Sequence, residues 1–176
     1  EEFPRLNIKY DFYNPRNLND LENLIYEKTK VIYLESPGTY TFEIIDIKKV
    51  VQICKKYNLK SIIDNTWATA LFFNPLEFGV NIVVEAITKY ISGHSDIMMG
   101  VVIANGQDLI AIQRWTKNAG VYVSPDDIYM SLRGLRTLPL RLKQSSENSL
   151  ALAKHLELQP EIKTVQHPAL KQHPDH

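Results

Sequence analysis

An α/β fold, with a mainly parallel sheet flanked by helices, is what this sequence predicts, on three observations. Short apolar runs rich in β-branched residues alternate with longer stretches whose apolar residues recur at helical period. Several of the strand-like runs lack polar alternation, the pattern of strands covered on both faces. Two charges, Asp64 and Lys89, stand just past the carboxyl ends of such runs, where open α/β sheets bind ligands.

The elements follow in order. Residues 18–28 space Leu18, Leu21, Leu24 and Ile25 at helical period, and residues 31–34 form a short β-rich run. Residues 44–57 carry Ile44, Ile47, Val50, Val51, Cys54 and Tyr57 on one helical stripe. Residues 61–63 read as a strand ending at Asp64-Asn65, residues 76–78 as a short helical turn, and residues 81–87 as another strand. Residues 98–104 are apolar throughout and read as a buried strand. Three helices are expected over 107–117, 125–134 and 138–157. A last short run, 162–165, leads into a tail containing Pro168 and Pro174.

Composition excludes several classes of function. With 44% apolar and 23% charged residues among 176, the chain matches an ordinary globular domain. The net charge is zero, so no basic excess points to nucleic acid and no polybasic cluster to an anionic membrane. No apolar run approaches the roughly 20 residues of a membrane helix, and no secretory signal is visible. The single cysteine, Cys54, cannot pair within the chain, which fits a reducing cytoplasm. The chain opens Glu1-Glu2-Phe3-Pro4 without an initiator Met and closes on His173-Pro174-Asp175-His176. It is therefore expected to be a piece of something longer.

The segment Glu85-Ala-Ile-Thr-Lys-Tyr-Ile-Ser-Gly-His-Ser-Asp96 sets Lys89 between a strand-like run and a small polar turn. A lysine amine is a poor nucleophile while protonated, and partial burial at a strand end favours the free amine. Such a lysine can form a Schiff base with an aldehyde cofactor. Asp64 lies at another strand end on the same sheet edge. An acid and a lysine so placed suit pyridoxal 5'-phosphate: a carboxylate keeps the pyridine nitrogen protonated while the lysine holds the aldehyde. Thr88 offers a hydroxyl and a backbone N–H suited to a phosphate oxygen.

Six motifs give the chain a specific likeness: Glu35-Ser-Pro-Gly, Asp64-Asn-Thr-Trp-Ala, Thr88-Lys89-Tyr90, Gly93-His-Ser-Asp96, Arg133-Gly-Leu-Arg-Thr-Leu138 and His167-Pro-Ala-Leu170. In order and spacing they resemble the Cys/Met-metabolism family of pyridoxal-phosphate enzymes. The resemblance covers nearly the whole chain and is least distinctive before about Lys30. Thr39-Tyr40, where γ-enzymes carry Asn-Pro, and Trp67, where they carry Phe or Tyr, resemble the family's cystathionine β-lyase branch.

The resemblance implies a partial aminotransferase-type large domain over residues 1–158 and, over 159–176, the start of a link to a C-terminal domain. It implies that Lys89 binds the cofactor, abstracts the substrate α-proton and protonates the leaving thiolate. Asp64 would pair with the pyridine nitrogen, Thr88 with the phosphate, and Thr39 would lie near the phenolic oxygen. Ala86 stands where the family often has a phosphate-binding Ser. The implied reaction converts cystathionine to homocysteine, pyruvate and ammonia, a step of methionine biosynthesis, in a cytoplasmic homotetramer. The alternatives are γ-elimination or γ-replacement chemistry, and a truncated, non-catalytic relic. By resemblance, segments before Glu1 and after His176 would supply the ring-stacking aromatic, a phosphate-binding helix N-terminus and the arginine for the substrate carboxylate.

Other residues have plainer readings. Trp67 is expected in packing and Cys54 in the core. His94 and Asp96 lack a third metal ligand and read as a turn. His167, His173 and His176 lie on an extended linker. Arg133 and Arg136 are expected in pairs on a helix surface.

Overall fold

The structure, a computed structural model, describes residues 3–176. Glu1 and Glu2, with which the expected 1–158 domain opens, lie outside the described residues. The elements run α1 (Leu18–Asn23), β1 (Val31–Glu35), α2 (Ile47–Lys56), β2 (Lys60–Asp64), α3 (Thr69–Phe72), β3 (Ile82–Ala86), β4 (Gly100–Ala104), α4 (Gly106–Ala119), α5 (Pro125–Leu135) and α6 (Leu138–Leu156). Short 3-10 turns occupy Phe3–Leu6 and Pro75–Phe78. The 162–165 run forms no strand.

One four-stranded sheet has the order β1-β2-β3-β4. β1, β2 and β3 are parallel, with Glu35 opposite Asp64 and Asp64 opposite Val84. β4 joins antiparallel, with Val83 opposite Ile103. The fold is thus α/β with a mainly parallel sheet flanked by helices.

α2 starts later than its apolar stripe because Asp46 caps it, accepting a hydrogen bond from the Lys49 N–H at 3.0 Å. Lys55 and Lys56 in its last turn face the negative end of the helix dipole. Its buried residues are Val50, Val51, Ile53 and Cys54. They pack with Leu18 and Leu21 of α1 and with Ile32, Leu34, Ile63 and Val83 of the sheet. Burial raises the Cys54 thiol pKa to about 11, as suits a core thiol.

One expectation fails here. Residues 98–104 are not a buried strand: Gly100 is exposed and Val102 is 47% exposed. β4 is an edge strand: Ile103 packs against the core, while Val102 on the other face is left at the rim. The second face of the sheet is covered unevenly: Ile62 and Val84 in its middle are half-buried, and Ala104 is buried. Ile32, Leu34, Ile63 and Val83 face the core, while on the other side only the edge strands leave large apolar residues exposed, Val31 and Tyr33 on β1 and Val102 on β4. Apolarity alone does not report which face is covered.

α5 and α6 pack on the segment between β3 and β4. A Cβ built on Gly134 would meet the Ile91 and Ser92 carbonyl oxygens at 2.4 Å, so only glycine allows this approach. Leu138 and Leu142 of α6 and Ile87 and Ile97 of that segment are buried outside the main cluster. The C-terminal tail folds back: Arg16 donates to Asp175 at 3.1 Å, and Asp175 also accepts from the Ile44 N–H. The hydrogen bond from Arg16 holds the Asp175 carboxyl below its usual range.

Candidate functional site

All four residues singled out for the site line one cleft of about 610 Å³: Thr39, Asp64, Thr88 and Lys89. Asp64 ends β2, and its Oδ1 accepts from the Thr66 N–H at 2.9 Å. That short turn fixes the carboxylate at the strand end. The Thr66 hydroxyl in turn accepts from the Ala86 N–H at 2.8 Å, tying the end of β2 to the end of β3.

Lys89 sits on the tight turn that follows β3. Its N–H donates to the Ala86 carbonyl at 3.0 Å, and its own carbonyl accepts from the Gly93 N–H at 3.0 Å. The side chain is exposed, and among the described residues its ammonium has no hydrogen-bond or ion-pair partner. The backbone is therefore fixed and the amine is free.

Thr88 is committed more than its sequence suggested. Its hydroxyl accepts from the Met99 N–H at 2.9 Å and donates to the Met99 carbonyl at 3.2 Å. To donate to a phosphate it must release that carbonyl. The Thr39 hydroxyl donates to the Glu35 carboxylate.

Sequence reasoning missed part of the wall. Trp67, expected in packing, is 44% exposed and lines the cleft. Glu35, Tyr90 and Arg141 line it too. Position could have found Trp67 and Tyr90, since Trp67 follows Asp64 within the same turn and Tyr90 directly follows Lys89. Arg141 lies 52 positions beyond Lys89, and only the fold brings them to one cleft. The Asp64 charge is felt nearby. Burial first, then Asp64 and Glu35, raises the Tyr33 phenol pKa. Burial first, then Asp64, raises that of the Glu85 carboxyl.

The plainer readings resolve as follows. Cys54 is core. The His94 ring contacts the Ser92 carbonyl within the turn. Arg133 and Arg136 are exposed, and neither forms an ion pair among the described residues. His173 is buried, so the tail is packed rather than an extended linker.

The residues present fit pyridoxal phosphate. An unpartnered lysine amine, a fixed strand-end carboxylate and an exposed indole face border one cleft large enough for a small aromatic ring.

Comparison with known proteins agrees. A protein named L-alanine/L-glutamate racemase from Wolbachia pipientis wMel is 41% identical over 175 residues, covering 99% of this chain and 43% of the relative. A cystathionine beta-lyase from Haemophilus influenzae is 41% identical over 174 residues, covering 98% of this chain and 44% of the relative. The crystal structure of cystathionine gamma-lyase from Lactobacillus plantarum complexed with L-serine superposes with a TM-score of 0.94 at 30% identity, covering 98% of this chain and 46% of that one. The chain thus spans less than half the length of these relatives. Among the described residues no helix is long and apolar enough to cross a membrane. The model of the Cys/Met metabolism PLP-dependent enzymes matches residues 1–176, and with the cleft around Lys89 and Asp64 it places the chain in that family of pyridoxal-phosphate-dependent enzymes.

Proposed function

We propose that this chain is the cofactor-binding part of a carbon–sulfur β-lyase that cleaves cystathionine to homocysteine, pyruvate and ammonia. The observation that carries the reading is a partnerless Lys89 amine in the same cleft as the fixed Asp64 carboxylate. Relatives named cystathionine β-lyase, with Thr39-Tyr40 and Trp67 in this chain, support the choice of reaction.

Pyridoxal phosphate, when bound, supplies an electron sink for the carbanion formed at the substrate Cα. Lys89 Nζ would hold the cofactor's aldehyde carbon. With the substrate bound, the freed Nζ would remove the α-proton and deliver it to the departing sulfur. Asp64 holds a proton on the pyridine nitrogen by charge pairing. Thr88 would contact the phosphate, and Thr39 would stand near the phenolic oxygen. Residues 1–158 are read as part of the large domain and 159–176 as the start of the link beyond it. The substrate-carboxylate site would come from the rest of a longer protein, which we read as a cytoplasmic homo-oligomer, a tetramer, serving methionine biosynthesis.

The test is direct. Titrating pyridoxal phosphate into the chain should give a visible absorbance that Lys89→Ala abolishes. Its absence would leave a non-catalytic relic. The longer protein should then release pyruvate and homocysteine from cystathionine. Cysteine with 2-oxobutanoate would move the assignment to γ-chemistry. Racemised alanine or glutamate without pyruvate would move it to racemisation.

A further inference from the structure

We propose that Arg141 is the positioning residue of this site: its guanidinium holds the turn that carries Lys89 against the α5–α6 corner. Arg141 lies in the second turn of α6, half-buried, and lines the cleft with Lys89. Its Nη1 donates to the Tyr90 carbonyl at 2.7 Å and its Nη2 to the Ile91 carbonyl at 3.2 Å. Nη2 also donates to the Gly134 carbonyl at 2.8 Å, and Nε to the Thr137 hydroxyl at 3.0 Å. One side chain thus ties the two residues after Lys89 to the end of α5 and the start of α6.

The turn needs such a partner. After β3 the chain reverses within a few residues, and among the described residues no backbone N–H donates to the Tyr90 or Ile91 carbonyl. Buried carbonyls left unpaired are costly, and a charged donor satisfies them well. The guanidinium also takes the space beside Gly93. A Cβ there would lie 1.9 Å from Nη1, and the φ of +72° further favours glycine. A lysine cannot replace this fork, because a single ammonium cannot reach three carbonyls in a fixed plane.

Holding the turn narrows where the Lys89 amine can be, and misplacement of a reacting group slows chemistry steeply. The inference rests on the proposed role of Lys89, but its first readout does not.

The experiment compares wild type, Arg141→Lys and Thr137→Val. Amide hydrogen exchange reads the Ser92 and Gly93 N–H groups, which donate within the turn. In Arg141→Lys they should exchange about tenfold faster, the effect of one charged hydrogen bond lost, while β1–β3 amides stay protected. The pyridoxal phosphate needed for half-saturation of the lysine-dependent absorbance should rise by about the same factor, and the band at saturation should weaken. Thr137→Val should act in the same direction by less. Wild-type exchange at Ser92 and Gly93 in Arg141→Lys overturns the proposal, as does acceleration spread evenly over the sheet. Should Arg141→Lys fail to fold, Thr137→Val decides by the same two outcomes. If wild type shows no lysine-dependent absorbance, the Lys89 reading fails while the exchange data still judge Arg141.

Discussion

In the body made of β1–β3 and α2, Val50 and Ile63 are fully buried and Leu34 is 1% exposed. Across α4–α6, by contrast, Trp115 is 65%, Leu140 75% and Leu152 58% exposed, and α4 buries no residue. The body is held by close-packed apolar contact on one face of the sheet. The helical arm reaches the Lys89 segment through Arg141 and Gly134 and a smaller buried apolar set, Leu138 and Leu142 of α6 with Ile87 and Ile97 beside the turn. The cleft lies between the two and draws on both. Asp64 comes from the rigid body, whereas the Lys89 turn is braced by the arm. One half of the site is therefore expected to be more stable than the other.

The largest effect expected from breaking this contrast is in the body. Ile63→Ala should cost about 2–5 kcal/mol in urea unfolding, since the vacated space is enclosed on all sides. On the arm, Gly134→Ala should cost about 1–3 kcal/mol, because its Cβ meets backbone atoms that cannot rotate away. Exchange should show that loss at residues 88–93 and leave β1–β3 protected. Equal loss in both regions would mean that body and arm unfold as one unit. Asp46→Ala, which removes the α2 cap, should cost about 1 kcal/mol and be felt in the body alone.

The smallest effect is a pH slope. Burial raises the folded-state Glu85 pKa, so the stability linked to its neutral form is fully present in acid. It is lost as pH rises from the ordinary carboxylate range through the raised value. Glu85→Gln should remove that slope in unfolding experiments run from acid to neutral pH. An unchanged slope would mean that Glu85 is not its source.

The meeting of Asp64 and Lys89 in one cleft was legible because it depends on local order. Asp64 and Lys89 each follow a strand, and any sheet aligning those strands brings them to one edge. The stripe Val50, Val51 and Cys54 likewise marked the core face of α2. α3 passed unnoticed because four residues are too few to show a period. The exposure of Val102 was illegible because a continuous apolar run looks the same whether one face is covered or two. Arg141 escaped because its partners are main-chain oxygens some 50 positions away, which carry no side-chain signature.

The sequence by itself determined the α/β pattern, the lysine and acid at strand ends, and the family likeness, since each rests on residue type and spacing along the chain. Only the tertiary structure decided that β4 runs antiparallel at an edge and that Val102 there stays exposed. It alone showed the Thr88 hydroxyl engaged with Met99 and the Lys89 turn clasped by Arg141. Those features depend on which backbone groups meet across long separations, where hydrogen bonding and exclusion of a Cβ act between residues that the linear order keeps apart.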